Sequence, residues 1–219
     1  MTKAMWDRLA AAAGMISVAL FIVAAFVYGN SPNVSDSAET IARFYADNSD
    51  RVLWAVFLQG FGVLALIWFT AAFMDAMKDA GEARLASAFG ISFAVALMLG
   101  SVAALLRASL AFTIAEDASP ETVRAFFDMG ALVDTSQNVI SAGIFLAAAG
   151  AVIRTKFLPV WWGWLSVAAA VWAMASATAW NRDGFWSPDG AGYVNFVVYV
   201  AWVGISSLLL TMSMSKRAS

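Results

Sequence analysis

Six polar side chains stand in or beside otherwise apolar stretches of this chain: Gln59, Arg107, Asp134, Gln137, Asn138 and Asn195. Each is costly in a hydrocarbon solvent, so each is expected to face other helices, a cavity or a ligand. Arginine suits phosphate and carboxylate through its planar fork, which makes Arg107 a candidate for holding an anionic group. The structural alternative is an ion pair with Asp134 across two helices. Arg107 lies 23 residues from Arg84, and Asp134 lies 20 from Arg154. At about 1.5 Å per residue both stand some 30–35 Å from those basic groups, at a similar level. For Gln59 and Gln137 the choice is between ligand contact and interhelical hydrogen bonds worth about 0.6 kcal/mol on average in membranes. Asn138 points about 100° away from Gln137 around a helix, so one face is not expected to use both.

The absent residue types narrow the chemistry further. There is no histidine and no cysteine. That excludes Cys/His zinc sites, haem held by His or Cys, Cys-bound iron–sulfur clusters, and triads that use His. No phosphate-binding glycine loop, nucleophile elbow or pair of catalytic carboxylates is present. No cofactor or metal is expected. An intramembrane enzyme would have to work with Arg107 and Asp134 alone. The net charge of −2 does not suggest a nucleic-acid partner.

The elements that must position these side chains follow from composition. The 219 residues are 62% hydrophobic and 13% charged, with mean hydropathy +0.75. An ordinary soluble domain carries about 25% charged residues. Six apolar stretches emerge at roughly Leu9–Tyr28, Val52–Met74, Leu85–Leu106, Asp134–Ile153, Leu158–Trp180 and Tyr193–Met212. Each is near the 20 or so residues a membrane-crossing helix needs. The first is longer than a signal-peptide core and is read as a span. The expected fold is therefore an all-α membrane protein, a single domain of six transmembrane helices in three hairpins. Lys3, Arg8, Lys78, Arg84, Arg154, Lys156, Lys216 and Arg217 collect on one side. The positive-inside rule makes that side cytoplasmic and puts both termini there, in a bacterial inner membrane.

An internal repeat accompanies the hairpins. Ser37-Ala38-Glu39-Thr40-Ile41-Ala42-Arg43-Phe44-Tyr45 reads against Ser119-Pro120-Glu121-Thr122-Val123-Arg124-Ala125-Phe126-Phe127. Gln59 and Lys78 lie 19 residues apart, as do Gln137 and Lys156, so the match runs into the following spans. The repeat units are about 9–78 and 85–156, with a third, degenerate hairpin at 158–213. Each repeated segment is expected to form a short amphipathic outer helix, after spans 1 and 3. Ile41, Phe44 and Tyr45 make one apolar face and Val123, Phe126 and Phe127 the other. These faces are expected on the membrane surface or the bundle rim. The opposite faces, Glu39, Arg43, Asp47 and Glu121, Arg124, Asp128, read as solvated ladders. The third outer connection, Asn181–Gly190, reads as a loop.

Two motifs carry a resemblance. Asp36-Ser37-Ala38-Glu39 precedes Phe44-Tyr45-Ala46-Asp47, and Leu158-Pro159-Val160-Trp161-Trp162-Gly163-Trp164-Leu165 opens the fifth span. With this layout the chain resembles multi-pass membrane proteins of unknown function common in actinobacteria. The resemblance implies membrane architecture and no particular activity. The residues then favour a non-enzymatic module that binds a lipid-like or apolar molecule in an outward-opening cleft, or that assembles with membrane partners or copies of itself. The alternative is a small transporter or channel, since parallel repeats are common among transporters.

Overall fold

The computed structural model describes residues 3–217, which are all-helical, with no strand among them. The side chains of Lys3, Lys216 and Arg217, three of the charges used to orient the chain, lie outside the described ones. Seven helices follow one another: α1 (Lys3–Tyr28), α2 (Ala38–Asp47), α3 (Ser49–Asp79), α4 (Ala83–Asp117), α5 (Pro120–Thr155), α6 (Val160–Ser176) and α7 (Tyr193–Arg217). Five of them, α1, α3, α4, α5 and α7, are long and apolar enough to cross a membrane. Their outward faces carry large apolar side chains: Phe26 of α1 is 82% exposed and Phe112 of α4 is 71% exposed. Such surfaces require an apolar solvent.

The stretch Leu158–Trp180 yields a shorter helix than its composition suggests. α6 has 17 residues, or about 25 Å at 1.5 Å per residue. Beyond Ser176 the hydroxyls of Ser176 and Thr178 donate to the carbonyls of Ala173 and Ala175, at 3.1 and 2.9 Å. Local hydroxyl-to-backbone bonds of this kind compete with helix continuation.

Neighbours are set by size. α1 packs along α3, α3 along α4, α4 along α5, and α5 along α6, while α7 returns to α1. Glycine permits the close approach of α5 and α6. A Cβ on Gly163 of α6 would stand 2.7 Å from Ile153 of α5. α6 and α7, by contrast, are held apart by indoles. Trp162 and Trp202 fill the space between them and belong to the main core with Phe69, Phe73, Phe89, Phe93 and Phe145. Of the tryptophans that open α6, only Trp162 is buried; Trp161 and Trp164 face outward.

A second core closes the end of the bundle that carries α2, here termed the lid end. Ile41 and Tyr45 of α2, Val52 of α3, Leu110 and Ala111 of α4, and Val123 of α5 are buried together. The apolar face of α2 thus packs into the rim of the bundle. Ser37 caps α2 by accepting from the Thr40 amide, and Ser119 caps α5 by accepting from the Thr122 amide. An uncapped helix start would lose about 1 kcal/mol.

The second expected outer helix does not exist as a separate element. α5 runs unbroken for 36 residues from Pro120. In the first segment the chain breaks at Asn48, whose side chain caps α2 by donating to the Phe44 carbonyl at 2.8 Å. Fourteen residues separate Tyr45 from Gln59, but ten separate Phe127 from Gln137. The missing four are about one helical turn, so the second helix continues with its face turned by only about 40°. The third outer connection also differs from a plain loop. Ser187 accepts from the Gly190 amide and opens a π-helical turn, Pro188–Gly192, that leads into α7.

Candidate functional site

Between the lid core and the aromatic core lies a cavity of about 310 Å³. Gln59, Arg107, Asp134, Gln137, Asn138 and Asn195 all line it. Its side walls are apolar, with Phe21, Val56 and Phe126 among them. Tyr199 closes the floor, packed at 6.0 Å from Phe93 and 6.3 Å from Phe145. The dimensions suit a small ligand or the polar part of a larger one.

Arg107 and Asp134 form an ion pair between α4 and α5. One guanidinium nitrogen, Nη2, meets one carboxylate oxygen, Oδ2. Arginine has five N–H donors and a carboxylate about four acceptor positions, so most of this capacity is unspent on the pair. The side chains remain 28% and 39% exposed. The pairing is the structural alternative expected for these two residues, and it leaves both on the cavity wall.

The glutamines behave differently. Among the described residues, neither the Gln59 nor the Gln137 side chain has a hydrogen-bond partner, so the expected interhelical bonds are not formed. Both amides line the cavity. Gln137 rests against the bare backbone of Gly100, where an added Cβ would meet its Oε1 at 3.3 Å. Gln137 and Asn138 both line the cavity, contrary to the expectation that their 100° separation divides them. α5 is central, with α4 on the Gln137 side and α7 on the Asn138 side, so the cavity wraps around it.

Asn138 and Asn195 form a short relay. The Asn138 Nδ2 donates to the carbonyl of Ser176 at 3.4 Å, at the end of α6. The Asn195 Nδ2 donates to Asn138 Oδ1 at 2.7 Å. A carbonyl only accepts, so Asn138 must turn its NH₂ toward Ser176 and its oxygen toward Asn195. Asn195 must then present its own NH₂, which leaves its Oδ1 buried and without a partner. Such an acceptor calls for a donor that the protein does not provide.

The roof was partly hidden in the sequence. Tyr28 and Tyr45 share a hydrogen bond at 2.8 Å above the ion pair and both line the cavity. Burial pushes the Tyr45 hydroxyl well above its ordinary value, and the neighbouring Tyr28 adds to that, so it stays protonated. Asp189 accepts from the Val34 amide at 2.7 Å and so ties the α1–α2 connection to the turn before α7. Arg124 binds the Val34 and Asp36 carbonyls and pairs with Asp128 at 3.0 Å. Arg124 and Asp128 of that ladder are thus a fastener, while Glu121 is exposed as a solvated face would have it. When the two segments are aligned from Ser37 and Ser119, Arg124 falls opposite Ala42, one residue before the position of Arg43. The 100° this adds turns it inward, whereas Arg43 is exposed. A tyrosine in each of α1 and α2 at one level, and the Ser-Pro-Asp echo at 187–189, were the available signals.

No protein-family model matches this chain, and no curated protein or solved structure shows detectable similarity to it.

Proposed function

We propose that this is an integral membrane module that binds a lipid-like molecule in the lid-end cavity without transforming it. In this reading α6, lengthened by the turn after Ser176, is a sixth span. The lid end faces outward, both termini lie in the cytoplasm, and the membrane is a bacterial inner membrane of the actinobacterial type. The repeat units, 9–78 and 85–156, supply equivalent glutamines to the site, and the equivalent caps at Ser37 and Ser119 support their common origin.

One observation carries the reading: apolar walls converge with polar groups that line the cavity without a protein hydrogen-bond partner, the Gln59 and Gln137 amides. Such an arrangement of apolar walls and a few free polar groups is that of a small-molecule site. The aromatic cluster of Tyr199, Phe93 and Phe145 at the floor counts against a transporter or channel, because packed rings offer a solute no polar path. Native mass spectrometry of the full chain, released from mild detergent after extraction from its membrane, tests the proposal. A copurifying amphiphile is expected, and Gln59→Leu combined with Gln137→Leu should remove it. Retention of no small molecule, or one indifferent to both substitutions, would sink the reading.

A further inference from the structure

The cavity has a mouth and a sign. Of its lining residues, Ser31 and Asp189 are exposed, and so are Tyr193 and Phe196, at 60% and 44%. These four lie where the end of α1 faces the start of α7. The rim is polar toward the lid and aromatic along the helix, as expected of an opening at a membrane interface. Aromatic side chains on the rim offer an apolar tail a place to lie while a headgroup occupies the cavity.

The charges around that mouth are unbalanced. Eleven carboxylates and five arginines belong to the lid end, from Asp36 to Arg51, Arg107 to Asp134, and Arg182 to Asp189, a formal −6. The opposite end has the remaining bases in excess, which accounts for the overall −2. An acidic end around a low-dielectric cavity concentrates cations and repels anions. Inside, Arg107 is matched by Asp134, and Asp189 is the further carboxylate on the wall. Asp189 spends one oxygen, Oδ2, on the Val34 amide. The unmet need at this side of the cavity is for donors carrying positive charge.

We propose that the cavity takes an amphiphile headed by a primary ammonium, with the ammonium at Asp189 and the tail leaving past Tyr193 and Phe196. An ammonium brings three donors and no acceptor, which matches this wall. The assignment rests on the binding role proposed above and specifies its ligand. It departs from the anion recognition that Arg107 alone suggests, because the ion pair with Asp134 cancels that charge. The guanidinium's remaining N–H groups are left for the Gln59 and Gln137 oxygens or for an acceptor on the same headgroup.

Three eight-carbon probes, octylammonium, octanol and octanoate, separate the possibilities when titrated against the full chain in a nonionic detergent and followed by native mass spectrometry. Octylammonium should be retained at least tenfold better than octanoate, and added salt should narrow that gap. Asp189→Asn keeps an oxygen for the Val34 amide but removes the charge, and should reduce the preference at least threefold. Gly130→Phe should expel every probe, since a Cβ there meets only Leu106, at 4.0 Å, and the ring has the cavity to enter. Ala131→Phe, at another lining position, serves the same purpose if that variant does not fold. Equal or better retention of octanoate, or a preference untouched by Asp189→Asn, overturns the ammonium assignment while leaving amphiphile binding in place. Retention of no probe, or retention indifferent to the blocking variants, overturns the binding role itself.

Discussion

Trp162 and Trp202 stack at 6.2 Å with their planes 22° apart, and each indole donates to a serine on the other's helix. Trp162 Nε1 meets Ser206 Oγ at 2.9 Å, and Trp202 Nε1 meets Ser166 Oγ at 2.8 Å. In both helices the serine follows the tryptophan by four residues, so α6 and α7 present the same Trp-x-x-x-Ser edge to each other in antiparallel sense. The pairing satisfies two buried N–H groups and supplies the contact that the widely spaced backbones do not. Removing an acceptor leaves a buried donor unpartnered, at a cost of about 1–3 kcal/mol. Ser166→Ala and Ser206→Ala are each expected to lower stability by about that much in unfolding titrations in mixed micelles. Adding Trp162→Phe to Ser206→Ala should cost less than the sum of the two alone, because the orphaned donor goes with the indole. Full additivity would show that the bond contributes nothing.

The ion pair at the cavity wall makes a different demand. Breaking a buried pair from one side commonly costs about 3–5 kcal/mol, because the remaining charge has no partner. Arg107 and Asp134 keep access to the cavity, so about 1–3 kcal/mol is the expectation for Arg107→Leu or Asp134→Leu alone. The double variant should recover part of the loss. A double-mutant cycle in detergent checks this, and a coupling near zero would mean that water in the cavity already solvates both groups.

The glycines divide by what surrounds them. Gly163→Ala drives a Cβ into Ile153 and Val152, at 2.7 and 3.2 Å, and should destabilise by about 1–3 kcal/mol through overpacking. Gly60 sits in α3 with nothing within 4 Å of an added Cβ. Gly60→Ala should therefore stabilise, by up to about 1 kcal/mol, as expected of glycine in a helix interior. Thermal melts of the two variants should move in opposite directions.

Much of this site was legible from cost alone. Polar side chains in apolar helices must go somewhere protected, and the depths of Gln59, Arg107, Asp134 and Gln137, counted from basic residues at the other end, put them in one layer. What was not legible depends on rotation and on neighbours. Trp161, Trp162 and Trp164 stand together in the motif that opens the fifth span, but 100° per residue sends Trp162 into the core and the other two outward. Tyr45 reads as one of three apolar residues on α2, and its hydroxyl acquires meaning only when Tyr28 stands opposite. The Asn138–Asn195 relay required knowing that α7 returns beside α5. Four missing residues decided whether a lid helix stands free or merges into a span, and spacing alone did not reveal which.

Helix caps at the lid end are expected to be separable from the core. Ser37→Ala should cost about 1 kcal/mol or less, the usual value for a lost N-cap. Glu39 sits in the same turn, where its own backbone N–H and the Ser37 hydroxyl hold its carboxyl below the usual value. The folded state therefore favours the charged form. Its contribution is present above the ordinary carboxylate range and is lost as pH falls through the depressed folded value. Glu39→Gln should flatten the acid limb of the stability profile slightly, and an unchanged limb would show that folding does not shift the Glu39 carboxyl.

The lid itself should depend on Arg124 and not on Arg43. Arg124 ties the carbonyls of Val34 and Asp36 to α5, and the Val34 amide is held by Asp189 at 2.7 Å. These bonds close the α1–α2 connection over the cavity, beside Pro32, which also lines it. Arg43 is exposed and has no ion pair among the described residues. Removal of two charge-assisted bonds and the support they give to a third is worth about 1.5 kcal/mol or more, which corresponds to at least tenfold in a local opening equilibrium. Arg124→Ala should therefore speed hydrogen exchange at the Val34 and Asp36 amides by about that factor, while Arg43→Ala leaves both unchanged. If a ligand is held beneath this roof, the same substitution should quicken its release without altering which headgroup is preferred, because Arg124 is not on the cavity wall. Equal exchange in the two variants would mean that the connection is held by the lid core alone.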